Sequence, residues 1–149
     1  MSIRQAVESD AEHLCEIAAA MHAESRYSVL PYAPEKIKDL IVRLLGWADG
    51  FIYVSCKDGQ VVGFLAGYVT EHFASHAKIA GEYGLFISQG HRGGTDAARL
   101  IKKYQSWADE RGAVLISAGI TTGVNTESTS QLYKALGGRQ VGVVFELKG

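Results

Sequence analysis

Residues 85–95 read Leu-Phe-Ile-Ser-Gln-Gly-His-Arg-Gly-Gly-Thr, an apolar run that passes through a glycine-rich turn into a helical pattern. Residues of these types at this spacing suit an anion. Glycines let consecutive N–H groups converge, and a helix N-terminus adds about half a positive charge. A pyrophosphate would take several charge-assisted hydrogen bonds there, each worth about 1.5–3 kcal/mol. The turn is not a Walker A loop, because no Lys-Ser or Lys-Thr pair follows the glycines, nor is it a GxGxxG fingerprint. A strand-to-helix turn that uses glycine for geometry alone carries the same pattern. His72 and His76 have the four-residue spacing of a helical metal pair. They lack an intervening Glu and a third ligand, so no metal site is expected.

The elements that must position the turn follow from periodicity. Ile3–Val7 reads as a strand, and Ser9 and Glu12 read as a capping box opening a helix. That helix carries Ala11, Leu14, Cys15, Ala18 and Met21 on one face. Pro31 and Pro34 mark residues 25–35 as a loop, and a second helix runs from about Glu35 to Trp47. Phe51 to Ser55 alternate as a strand, Lys57 to Gln60 form a hairpin turn, and Val61 to Val69 return. Glu82 to Ser88 is a further strand. Thr95 to Arg111 is a helix with Ala97, Leu100, Ile101, Tyr104, Trp107 and Ala108 on one face, closed by Gly112. A short buried strand is expected over Val114–Ser117, a helix capped by Asn125 through Leu136, and a final strand alternating Val141, Val143 and Phe145. This order mixes hairpins with crossover connections around a partly open α/β sheet, whose ligands lie beyond strand ends and beside helix N-termini.

Composition narrows the function classes. The 149 residues fit one domain, read as spanning 1–149, that can bury a full core. A net charge of −1 argues against nucleic acid, which needs a basic footprint. Two cysteines, Cys15 and Cys56, read as small buried hydrophobes rather than a disulfide scaffold. No signal peptide or membrane-length apolar run is visible, which implies a cytoplasmic domain with no membrane partner.

Across nearly the whole chain the sequence resembles the GNAT superfamily of N-acetyltransferases. The resemblance rests on the Ile3-Arg4-Gln5-Ala6 opening, the strand ending in Leu85-Phe86-Ile87, the His91-Arg92-Gly93 turn, and Leu132 to Gly137. It is similar to small stand-alone members of phage or prophage type. These share Met-His-x-Glu-Ser (Met21 to Ser25), an Arg-Gly turn before Ala97-x-x-Leu100, and Thr122-Gly123-x-Asn125. The resemblance implies a mixed, mostly antiparallel central sheet flanked by helices and splayed at the strand before Arg92-Gly93. It also implies acetyl-CoA as cofactor, a small-molecule or protein amine as acceptor, and a chain able to form a homodimer. Leu85, Phe86 and Ile87 would pair with pantetheine, while Arg92, Gly93, Gly94, Thr95, Ala97 and Asn125 would surround the cofactor. Gly90 and Gly93 match the first and fourth motif positions, but Thr95 stands where glycine or alanine is usual. Asp96 has the wrong sign for an anion site, so Arg92, with Arg99, would compensate.

The same resemblance assigns catalytic candidates. A backbone N–H near Phe86 or Ile87 would polarise the carbonyl, and Tyr133 matches a tyrosine that protonates the departing sulfur. Packing of the last helix is the other reading of Tyr133. Glu82 is a candidate base, although strand alternation sets it against Tyr83, which occupies the register of a base in some relatives. His22 and Glu24 are alternatives on the acceptor side, as is direct proton loss to water. Tyr27 and Tyr32 lie in the loop that would line the amine pocket. An acyl-CoA-binding or phage assembly module without catalysis is the competing class, and a nucleotide-binding regulatory domain a third.

Overall fold

The structure, a computed structural model, describes residues 2–149. In chain order it contains β1 (Ser2–Gln5), α1 (Ala11–Glu24), α2 (Pro34–Leu45), β2 (Gly50–Lys57), β3 (Gln60–Glu71), β4 (Lys78–Ile87), α3 (Asp96–Glu110), β5 (Ala113–Ile116) and α4 (Thr126–Ala135). The strands form one sheet in the order β1-β2-β3-β4-β5. The first three pairings are antiparallel and β4–β5 is parallel. This is the mixed, mostly antiparallel α/β sheet that the sequence predicts.

Alternation in β2 shows why the sheet needs helices on both faces. Ile52, Val54 and Cys56 pack with Leu14 and Ile17 of α1 and Ile41 and Leu44 of α2. Phe51, on the opposite face, packs with Leu100, Ile101, Tyr104 and Ala108 of α3. The α3 residues recur every three or four positions, which aims one stripe at the sheet. Gly112 follows the helix at φ +85°, where a side chain would be strained.

Several local readings are corrected. Asp10, rather than Ser9 with Glu12, organises the entry to α1. Its carboxylate accepts the Val7 N–H at 2.8 Å and both terminal Arg4 nitrogens at 2.8 and 2.9 Å. The Arg4 guanidinium holds Asp10 below the usual carboxylate range. β4 begins at Lys78, four residues before the predicted start, because the β3–β4 hairpin closes through His72 and Ala77. β5 is exposed rather than buried, since nothing pairs with its outer edge. The predicted strand over Val141–Phe145 is absent: residues 138–149 are irregular and make no ladder bonds. Among the described residues no helix is long and apolar enough to cross a membrane.

Helix α3 connects the core to the far end of β5. Tyr104, 1% exposed, donates its hydroxyl to the Ser117 carbonyl at 2.8 Å. Tyr104→Phe should cost about 0.5–1.5 kcal/mol, the net worth of one hydrogen bond. Leu100→Ala, at a fully buried position, should cost about 2–5 kcal/mol. Urea denaturation of the two variants checks this order.

Candidate functional site

The site begins where two parallel strands part. Lys78, Ile79 and Ala80 of β4 pair with β5, and Ser117 N–H to Ala80 O at 3.0 Å adds one further bond. Beyond it the chains diverge. From Gly84 to Ile87, β4 pairs with β3 on one edge, and its other edge borders a cavity of about 340 Å³. The cavity is walled by Glu82–Ile87 on one side and by Gly119–Thr122, which continue from β5, on the other. The turn at His91–Gly94 with Ala97 of α3, and Asn125, Thr129, Leu132 and Tyr133 around α4, complete it.

A bulge in β4 sets which side chain crosses the gap. Ala66 lies opposite Gly84 and Gly67 opposite Glu82, so Tyr83 is the extra residue. The Glu82 carboxylate accepts the Gly119 N–H at 2.8 Å. Tyr83 is half exposed and packs on Tyr68 at 5.2 Å between ring centroids. Burial pushes the Glu82 carboxyl above the usual range, and the Gly119 bond partly offsets this. On the same residue, the Gly119 carbonyl accepts the Tyr133 hydroxyl at 3.2 Å. Burial, and then the Glu82 charge, push the Tyr133 phenol well above its ordinary value. It therefore remains a proton donor across neutral pH. Gly119 thus brings a carboxylate and a phenol to one end of the cavity.

The glycine turn adopts the backbone its composition calls for. Gly90 and Gly93 sit at φ +89° and +91°, a region that side chains rarely enter. A Cβ at Gly93 would meet nothing within 4 Å, so the approach to its backbone is open. Gly94 and Ala97 also line the cavity, whereas Thr95 does not. Thr95 occupies the N-cap position of α3 without a side-chain capping bond. Asp96 is buried and accepts a hydrogen bond from Ser55 Oγ of β2. Its carboxylate anchors α3 to the sheet, which accounts for an acidic residue beside the glycine turn. Asn125 lines the cavity in the left-handed conformation, and its carbonyl accepts the Thr129 N–H at 3.0 Å.

Arg92 and Glu24, predicted to serve cofactor and acceptor separately, form a single clasp. The terminal Arg92 nitrogens reach the Glu24 oxygens at 2.7 and 2.8 Å, and Nε donates to Ile87 O at 2.7 Å. Hydrogen bonding to Arg92 holds Glu24 below the usual carboxylate range. The pair joins the end of α1 to the turn.

The loop expected to line an amine pocket does not reach the cavity. His22 Nε2 lies 2.6 Å from Leu30 O, Tyr27 OH accepts from Arg26 at 2.9 Å, and Tyr32 OH donates to Cys15 O at 2.8 Å. Their polar atoms hold the α1–α2 connection together, and α1 reaches the cavity through Met21 and Glu24 instead. His72 and His76 lie on the β3–β4 hairpin rather than a helix. His72 Nδ1 accepts the Ala74 N–H at 3.0 Å, and His76 lies 3.7 Å from Glu71. Among the described residues no cluster of His, Cys, Asp and Glu is arranged to hold a metal. Sequence reasoning missed Gly119–Thr121 and Ser55. Ser55 carries a signal, a polar residue at a core-facing position of β2. Gly119–Thr121 carries none, because irregular chain beyond a strand has no period.

With this geometry in view, known proteins give a consistent answer. The chain superposes on an aminoglycoside acetyltransferase from an uncultured soil metagenomic sample with a TM-score of 0.73 at 22% identity, covering 99% of this chain and 97% of that one. Aminoglycoside 6'-N-acetyltransferase AAC(6')-IG from Acinetobacter haemolyticus gives 0.76 at 14% identity, covering 100% and 98%. A ribosomal-protein-alanine N-acetyltransferase from Brucella melitensis biovar Abortus 2308 gives 0.71 at 17%, with both chains covered fully, 100% each. At such identities these likenesses establish the fold. No curated protein sequence matches the chain. The family model for "Acetyltransferase (GNAT) family" matches residues 13–137, which takes in α1, the sheet from β2 to β5, the turn and α4. The chain belongs to the GNAT acetyltransferase family, whose members transfer an acyl group to an amine.

Proposed function

We propose that this chain moves an acetyl group from acetyl-CoA to a primary amine of a small molecule or protein, with Glu82 as general base and Tyr133 as general acid. One observation carries the reading: Glu82 and Tyr133 both bond to Gly119 at the point where β4 parts from β5. The residues present fit acetyl-CoA. From Gly84 to Phe86 the outer edge of β4 lies along the cavity, where an amide-bearing arm can pair with it, while the Ile87 carbonyl is taken by Arg92 Nε. The open backbone at Gly93 and the N-terminus of α3 suit a pyrophosphate. Arg92 serves the phosphates through the shape of the turn it braces, since its guanidinium is engaged by Glu24. When bound, the thioester supplies the acyl group.

Each proton then has a place. An amine must be neutral to attack, and Glu82 accepts the proton it loses. Backbone N–H groups near Phe86 and Ile87 polarise the acyl oxygen. Tyr133 would hydrogen-bond the sulfur as the C–S bond breaks, and the proton that Glu82 takes from the amine is the one the thiolate finally gains. An ordinary Tyr at about 10 against a thiol at about 8.5 makes full transfer uphill by roughly 2 kcal/mol. Burial of Tyr133 enlarges that gap. The phenol therefore contributes through a hydrogen bond that strengthens as charge develops on sulfur. The carboxylate of Glu82 also favours a cationic amine over an acid as the acceptor. Aminoglycosides and a ribosomal-protein alanine, the acceptors named for two of the structural neighbours, both offer an amine that satisfies that condition.

Tyr133→Phe keeps the ring and deletes the donor, so kcat should fall about 10²–10⁴-fold with acetyl-CoA affinity unchanged. In the parent enzyme, kcat/KM should be lost as pH falls through the Glu82 pKa. That limb should lie above the usual carboxylate range, because burial raises the group. Glu82→Gln should remove the limb along with most of the rate. Steady-state kinetics against pH, reading thiol release with an amine panel, check both. A normal rate in either variant would remove that residue from its role.

The phosphate cradle is tested separately. Gly93→Val places a side chain at φ +91° and blocks the approach. Losing one charge-assisted hydrogen bond of about 1.5–3 kcal/mol should weaken acetyl-CoA by roughly 10- to 150-fold. Isothermal titration calorimetry measures this, with circular dichroism as the control for folding.

A further inference from the structure

The chain has two tryptophans, and both line one small cavity outside the site described above. This cavity, of about 200 Å³, lies where β1 ends and β2 begins. The glycine turn lies at the other end of the sheet, since Ile87 sits across from Gly63 and Ser55 while Gly50 sits across from Tyr68. Leu44 and Ile52 belong to the core under α1 and α2, and Trp107 packs on the core under α3. The cavity therefore opens between the two layers.

Close packing sets its frame. A Cβ at Gly50 would come within 2.5 Å of the Leu44 carbonyl, so β2 starts against the end of α2 only because no side chain intervenes. The Gly50 N–H donates to Trp47 O at 2.9 Å and fixes the turn that carries Trp47. Trp107 leans on Phe51 with ring centroids 5.0 Å apart. Trp47 stands on the exposed turn and is 45% exposed. One indole is held by the core, and the other reaches into solvent.

The polar side chains around the cavity are rich in donors. Arg111 follows the last turn of α3, two indoles bring one N–H each, and Gln5 adds an amide. Among the described residues none of these side chains makes a hydrogen bond or an ion pair. Arg4, Arg26 and Arg92 each face a carboxylate, whereas no carboxylate lines this cavity. A helix C-terminus favours a cation, and Arg111 supplies it at the end of α3 with donors to spare.

We propose that this cavity binds a small aromatic carboxylate, its ring against the two indoles and its carboxylate on Arg111. A guanidinium takes a carboxylate through two parallel hydrogen bonds, and aromatic faces take a flat ring. Drug-sized ligands occupy about 300–1,000 Å³, so the smaller space here suits a single ring. The acyl-donor cavity shares no lining residue with this one, and the proposal does not depend on the catalytic assignments.

Benzoate is the probe, read by the two indole N–H signals in proton–nitrogen NMR, which Trp47→Phe assigns. Both signals should move and saturate together in millimolar benzoate. Acetate, which lacks the ring, and benzylamine, which reverses the charge, should leave them in place. Arg111→Ala should weaken benzoate about 10- to 150-fold, the worth of one charge-assisted hydrogen bond. Arg111→Lys keeps the charge without the fork and should lose less. Arg111 is exposed, so circular dichroism should report an unchanged fold in both. Indole signals unmoved by benzoate, equal movement with benzylamine, or full affinity in either Arg111 variant would overturn the proposal.

Discussion

Two parallel strands that stop pairing create this site. As long as β4 and β5 stay together, through Ala80 and Ser117, their backbone groups satisfy one another. Past that point every N–H and C=O on the inner edges needs another partner, because buried backbone groups are costly to leave unpaired. Glu82 meets part of that need by bonding to Gly119, and Tyr133 meets another part from α4. On the β4 side Arg92 Nε takes the Ile87 carbonyl, and the backbone from Gly84 to Phe86 borders the cavity. Tyr104, reaching from α3 to the Ser117 carbonyl, fixes where the parting begins.

The same divergence organises the electrostatics. Glu82 lies among buried surroundings that resist its charge and raise its pKa, which suits the general base proposed for it. Burial first, and the same carboxylate second, also push the Tyr133 phenol upward, so it stays protonated beside Glu82. A raised carboxyl and a phenol that does not ionise are the pairing that the proposed acid and base roles require. At the other end of the cavity the charges are quiet. Asp96 accepts from Ser55 and Arg92 is engaged by Glu24, so the phosphate site proposed there would rely on backbone geometry and a helix terminus.

Most of this architecture is legible in the sequence, for definable reasons. The β2 alternation and the α3 stripe are strong periods, and both elements were predicted within two residues. The glycines at 90 and 93 announced a positive-φ turn, and the turn has it. Side-chain direction was less accessible. The bulge at Tyr83 inserts one residue and decides whether Glu82 or its neighbour faces the gap, which alternation alone misassigns. Arg92 and Glu24 are 68 residues apart, and no local pattern predicts that they consume each other's charge. The strand expected over Val141–Phe145 has the right period but, among the described residues, no neighbour to pair with. A period alone does not supply a ladder.

The central claim is that the parted edge of β4 and the glycine turn together form the acyl-donor site. Backbone amide NMR during an acetyl-CoA titration tests it most directly, since amide shifts report hydrogen bonding residue by residue. The account predicts the largest changes at Tyr83–Ile87 and His91–Ala97, saturating together with one affinity, with the β3–β4 hairpin unmoved. Changes centred on the α1–α2 connection, or shifts in the turn without any along β4, would contradict it.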